Sequence, residues 1–296
     1  MDLESFNTSR ESLVPLLALN NKSNKNIIIF PTDKEAIEFS TDFSNLNKNI
    51  FHLPSWDTLS YDSFVPSFDI QGKRLEIAHL LLTNNNYNIA TSIKAISQRI
   101  YFEELEICKI ELNEEIDFDS LIENLIHLKY QRKDRVESKG SFAIRGGQLD
   151  VYPINYDLPL RVIFDGDLVN EIKTFDTISQ RSISETNNIL VVPATELFQI
   201  QQSDILNLSS NNKENLDDYE LFQYSQNLDL EKCLLDLTSN VALHIVDKNI
   251  VDNQLKEIID IEKDTFENLK QYFSLEIRNF KSRYKDISKF FGEYDI

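Results

Sequence analysis

Over the first third of the chain, short continuous apolar runs alternate with helical patterns. Asn26 to Phe30 (NIIIF) reads as a buried strand stopped by Pro31-Thr32-Asp33, and Asp33 to Phe39 suits a helix. Ile50 to Leu53 and Tyr87 to Ala90 read as further strands, with helices over Leu13 to Leu19 and Lys73 to Leu82. Fully apolar strands spaced by helices predict a parallel α/β sheet, because only a sheet covered on both faces buries every side chain of a strand.

From about Leu105 the period changes. Glu104 to Leu112 reads as a strand, followed by an amphipathic helix with Leu121, Leu125 and Leu128 on one face and Ser120 or Asp117 as its cap. Short strands then follow closely: Ser141 to Arg145, Leu149 to Tyr152, Leu160 to Phe164 and Leu168 to Phe175. Gly146-Gly147 marks a bulge or tight corner, and Asp165-Gly166 predicts a type I′ hairpin turn. This texture predicts a small α+β domain on an antiparallel sheet. Near Val191-Val192-Pro193 it changes again. A polar, acidic loop is expected from Ser209 to Glu220, and Val241 to Val246 is a candidate for resumption of the first sheet. The apolar positions from Val251 to Phe291 then keep a helical period.

Composition narrows the chemistry. The 41% hydrophobic content supports a sizeable core, and the longest apolar runs are far too short to cross a bilayer. With no basic-then-apolar signal at the N-terminus, a cytoplasmic location without membrane contact is expected. The two cysteines, Cys108 and Cys233, lie far apart, and the four histidines are scattered, so no metal-ligand spacing is present. Asp165 and Asp167 read as solvated turn residues rather than a Mg²⁺ site. A net charge of -19 repels a phosphate backbone. A phosphate loop needs closely spaced glycines, yet the first glycine is Gly72 and Lys22-Ser23 has none around it. No GxSxG elbow exists either. The expectation is a non-catalytic chain with no cofactor and no metal.

The segment FHLPSWDTLSYDSFVPSFDIQGKRLEIAHLLL, Phe51 to Leu82, holds the only Trp together with Tyr61, Phe64 and Phe68. Such aromatics stack on bases or pin a loop against a sheet, and Asp57, Asp62 and Asp69 argue against a strand of phosphates. LPSWDTLSYDSFVPSFDIQGKRL resembles the LPxWETLPYDxFSPHxDI…RL stretch of the UvrB-homologous module of bacterial transcription-repair coupling factors. YQRKDRVESKGSFAIRGGQLDVYP is similar to that family's Y-x-x-x-D-x-V-x-x-x-G-E-F-A-x-R-G-G-x-L-D-x-F-P. LPLRVIFDGDLVNEIKTFDTISQRS is similar to its LPxRhxFFGDEhxxIRxFDxxSQRS (h, hydrophobic), and VVPATELF follows as the family's linker does. The match is good over roughly residues 26 to 200.

The resemblance implies a degenerate helicase-like parallel-sheet domain, residues 1–104 and 194–296, without a phosphate loop. Residues 105–193 are implied to be an inserted α+β domain that binds UvrA. The family's motor and its RNA-polymerase-binding and DNA-translocating parts lie downstream, so the chain is expected to be an N-terminal fragment or a shortened gene product. The family's UvrA-contacting arginines, in FAxRGG and LPxR, correspond to Arg145 and Arg161. Phe164, which matches the first of its paired aromatics, is implied to join the UvrA contact, while Asp165 stands where the second, a residue of the contact surface, belongs. Arg181, in SQRS, is implied to be structural. Two other readings stay open: a fragment of a UvrB-like, nucleotide-dependent DNA-binding protein, and a stand-alone structural or regulatory protein.

Overall fold

The computed structural model describes residues 3–8, 24–45, 49–62, 64–207, 216–225, 228, 231–272 and 280–291. In chain order it begins with β1 (Leu3–Thr8), β2 (Lys25–Phe30), α1 (Asp33–Ser44), β3 (Phe51–Leu53), α2 (Phe68–Thr83), β4 (Tyr87–Ser92) and α3 (Ile93–Ser97). There follow β5 (Cys108–Glu111), α4 (Phe118–His127), β6 (Gln131–Arg132), β7 (Ser141–Arg145), β8 (Gln148–Tyr152), β9 (Leu160–Asp165), β10 (Leu168–Phe175), β11 (Ser182–Glu185) and β12 (Asn188–Val191). The chain returns through α5 (Gln202–Leu206), α6 (Asp218–Ser225), β13 (Val241–Val246) and α7 (Lys248–Leu269). It divides into two compact units: Met1–Pro66, Ile77–Tyr101 and Ile200–Ile296 form the first, Ser67–Glu76 and Phe102–Gln199 the second. The inserted unit is thus wider than residues 105–193 and takes in the first half of α2.

The first unit is built on five parallel strands in the order β1-β13-β2-β4-β3. β13 buries all six of its side chains and lies between β1 and β2, so the sheet does resume after the insertion. β1 is absent from the sequence reading, because LESFNT lacks the continuous apolar run that marks β2 and β13. α1 starts where Thr32 accepts a hydrogen bond from the Glu35 amide and its hydroxyl donates to the Glu35 carboxylate (3.1 Å), a reciprocal cap. Phe39 and Phe43 on its inner face pack with Ile28, Phe30, Ala90 and Val246. The readings at Leu13 to Leu19 and Lys22-Ser23, and most of the loop expected from Ser209, lie outside the described residues.

The helical period after Val251 is only partly realised. α7 runs to Leu269 and a short 3₁₀ turn ends at Tyr272, but residues 280–287 are not helical. A buried carboxylate explains the change. Glu262, 3% exposed, accepts the backbone N–H of Arg283 on both oxygens (3.1 Å each) and hydrogen bonds from the Ser60 and Ser282 hydroxyls. The backbone of Arg283 and Lys285 bonds instead to Arg99 and Ser97, so these groups are committed away from an α-helical ladder. The Arg283 guanidinium lies over Phe222 (4.7 Å), Tyr61 and Trp56, and donates to the Leu59 carbonyl. Trp56 and Tyr61 are therefore buried anchors rather than a base-stacking platform.

The second unit is a six-stranded sheet in the order β11-β10-β9-β8-β7-β6, antiparallel except for the pair β6 and β7. β5 pairs with β12 in a separate ladder, so the strand expected from Glu104 is shorter and stands outside the main sheet. α4 is capped by Asp117, whose carboxylate accepts from the Ser120 amide at 2.7 Å. Gly146-Gly147 is the tight corner expected, whereas the turn at Asp165-Gly166 differs from the sequence reading in type and position. Arg145 pairs with Gln148, so Gly146-Gly147 is a two-residue hairpin with Gly146 alone left-handed (φ 60°). Asp165 pairs with Leu168, so the second turn is Gly166-Asp167, with Gly166 at φ 63°. A left-handed glycine at the first of two central positions is the requirement of a type II′ turn, not I′.

Candidate functional site

Directly opposed residues in neighbouring strands share a face of a sheet, and alternate residues along each strand change face. In the second unit, Leu149, Val162 and Ile172 form one such row, all buried. Phe164 belongs to the same face: it is 7% exposed and meets the α4 residue Phe118 edge-on, ring centroids 5.0 Å apart. The other face carries two polar rows. One runs Arg145, Gln148, Ile163, Glu171, and the next runs Ala143, Asp150, Arg161, Lys173, Glu185. Arg145 and Arg161 therefore share a face, and Phe164 is on the opposite one.

The two arginines are used differently. Arg161 holds Asp150 with both arms of its fork, Nε to Oδ1 at 2.7 Å and Nη2 to Oδ2 at 2.9 Å. Its Nη1 donates to the Gln180 carbonyl (3.2 Å), and its guanidinium lies 4.6 Å over the Phe175 ring. Gln148 adds its amide to both Asp150 oxygens. The hydrogen bonds that Arg161 donates to Asp150 push the arginine's pKa above its ordinary value. Arg161 is thus spent holding its own sheet together. Arg145 is exposed on the last residue of β7, donates to the Asp134 carbonyl (3.1 Å), and has no carboxylate within ion-pair range among the described residues.

Part of this face is covered by the loop after β6. Val136 inserts beside Ala143 and Phe175, with Tyr152 packed against the cluster. Insertion of Val136 brings Asp134 to Arg145 and brings Arg135 to the turn between β10 and β11. There the Arg135 Nη2 donates to the carbonyls of Thr177 and Ile178, both at 2.9 Å. Sequence reasoning assigned no role to Arg135, Asp150 or Gln180, although all three stand inside the quoted motifs. A motif places a residue in order along the chain, but the partner across the sheet is visible only once strand register is known. Arg181 is exposed in the structure, and its backbone carbonyl accepts from Asp176. Asp165 is exposed on the Arg145 side, so at that position a carboxylate stands where the resemblance implied an aromatic contact.

Residues 108–197 match the family model described as the UvrB interaction domain. The transcription-repair-coupling factor of Escherichia coli (strain K12) is 29% identical over 174 residues, 57% of this chain and 15% of that protein. That of Bacillus subtilis (strain 168) is 28% identical over 190 residues, 61% of this chain and 16% of that protein. UvrABC system protein B of Thermosipho africanus is 22% identical over 194 residues, 60% of this chain and 29% of that protein. The chain is homologous to both kinds of protein over more than half of its length, but the match spans only 15–16% of these two coupling factors. No helix among the described residues is long and apolar enough to cross a membrane.

Proposed function

We propose that this homologue of the coupling factors is a non-catalytic recruitment module of transcription-coupled nucleotide excision repair, working in the cytoplasm. Its second unit docks UvrA through the polar face of the antiparallel sheet. The observation that carries this reading is the match of residues 108–197 to a UvrB interaction domain. The geometry supports it: Arg145, at the exposed end of that face, presents a planar fork suited to a carboxylate on a partner. Arg161 takes a positioning role in this scheme. Its pairing with Asp150 fixes the register of β8 and β9, and hence the place of Arg145 one strand further on.

The test is affinity capture of purified UvrA by the intact chain. Arg145→Glu replaces attraction by repulsion at an exposed position and is expected to lower affinity by at least tenfold without changing the thermal midpoint. Unchanged affinity in a folded Arg145→Glu protein would sink the assignment. The homology to UvrABC system protein B keeps one competing reading, a nucleotide-dependent DNA-binding chain. ATP turnover by the purified protein would favour that reading instead.

A further inference from the structure

The turn joining β10 to β11 carries the most exposed large apolar side chain among the described residues: Ile178 is 87% accessible to water. A loose turn would fold such a side chain back onto the protein. This one is built so that it does not. The Asp176 carboxylate accepts the Ser179 amide at 2.7 Å, and the Asp176 carbonyl accepts the Gln180 amide at 2.8 Å. The Gln180 side chain donates to the Thr177 carbonyl at 2.8 Å, while Gln180 itself is left-handed at φ 60°. Arg135 then grips the carbonyls of Thr177 and Ile178, and Arg161 grips that of Gln180. Six hydrogen bonds thus fix a five-residue turn whose one apolar side chain stands in solvent.

We infer that Ile178 is a preorganised apolar knob that enters a socket on UvrA, and that carboxylates rim this socket; the inference rests on the docking reading above. Rigidity matters because a side chain already held in its bound position loses little freedom on association. Charge decides the character of the partner surface. The chain as a whole has a net charge of -19, yet residues 131–145 carry five basic side chains against two acidic ones. Arg135 and Arg181, both exposed, belong to the loop that grips the turn and to the strand approach that leaves it. Arg145 joins the same surface through Asp134, the neighbour of Arg135. The surface so formed is an apolar point among charges of both signs, since Arg135 pairs with Glu137, Lys173 pairs with Glu171 and Glu185, and Asp165 is exposed on the Arg145 side; its complement is an apolar hollow with carboxylates placed to meet Arg145 and Arg181.

The experiment is titration of the intact chain with purified UvrA in four forms: wild type, Arg145→Glu, Ile178→Asp and Ile126→Asp. Ile126, on α4, is also exposed (54%) but does not belong to the polar face. Burying one isoleucine corresponds to roughly a tenfold to hundredfold change in affinity, so Ile178→Asp is expected to weaken binding by that factor. Arg145→Glu weakens binding too, whereas Ile126→Asp binds as wild type and all four melt together. If Arg145→Glu weakens binding and Ile178→Asp does not, the knob is refuted while the docking reading stands. If Ile126→Asp weakens binding as much as Ile178→Asp, the effect is not local to the turn and the inference falls. Failure of the wild type to bind overturns both.

Discussion

Arg161 and Arg145 are two residues of one type, on one face, with opposite fates. The difference lies in what the neighbouring strand offers. Register puts Asp150 beside Arg161, and a bidentate pair forms; the hairpin end puts only Gln148 and a carbonyl near Arg145. The Arg161 and Asp150 side chains are 15% and 5% exposed, so removal of either leaves its partner's charge largely desolvated. Arg161→Ala and Asp150→Ala are each expected to cost about 2–4 kcal/mol, below the upper end for broken buried pairs because Arg161 retains some water contact. The double variant should lose clearly less than the sum, and urea unfolding of the four proteins measures that coupling. An Arg161→Ala protein as stable as wild type would show that the fork is not structural. The sequence made both arginines legible as special through their motifs, but not which of them is committed inside the fold.

The helix α2 illustrates the same limit one level up. Its sequence, FDIQGKRLEIAHLLLT, places a glycine in the interior, where alanine is ordinarily better by about 1 kcal/mol. The structure supplies the reason. A Cβ on Gly72 would stand 2.5 Å from the Ile154 carbonyl oxygen and 2.9 Å from the Asn155 nitrogen, both backbone atoms that cannot rotate aside. On the same half of the helix, Gln71 accepts from Thr195 and from the Glu196 amide, and Arg74 pairs with Glu196 at 2.8 Å, both side chains almost fully buried. Gly72→Ala should therefore destabilise the second unit by about 1–3 kcal/mol despite its better helix propensity. Hydrogen exchange of the β7 and β8 amides reports on that unit, and unchanged or slower exchange would contradict the account. Element types were largely readable from apolar period and caps, as at α4 and β13. What the sequence hid was the division of one helix between two units, because helical period carries no information on which core a given turn meets.

At the level of the whole chain, acid should loosen the first unit. His244, in the interior strand β13, is 1% exposed, with Nε2 3.2 Å from Asn26 Oδ1. Burial lowers its pKa from 6.5 to about 4. The unfolded chain thus takes up this proton near pH 6.5 and the folded chain only near 4. Stability from the neutral ring is complete above pH 6.5 and is lost as pH falls toward 4, by about 3 kcal/mol. Burial raises the Glu262 pKa and acts in the opposite sense, so the comparison with His244→Gln isolates the histidine. That variant should show a flatter stability profile between pH 6.5 and 4 in denaturant titrations, and parallel profiles would dismiss the effect. The order of strands has a further consequence, in time rather than in space. During synthesis β2 leaves the ribosome long before β13, which alone fills the gap beside it. Until then the isoleucines of β2 border an open edge, the kind of surface on which nascent chains pair wrongly. Arg74 likewise waits for Glu196 through 122 residues of growth. Neither unit can close until the polypeptide is well advanced, so both are expected to fold late in synthesis.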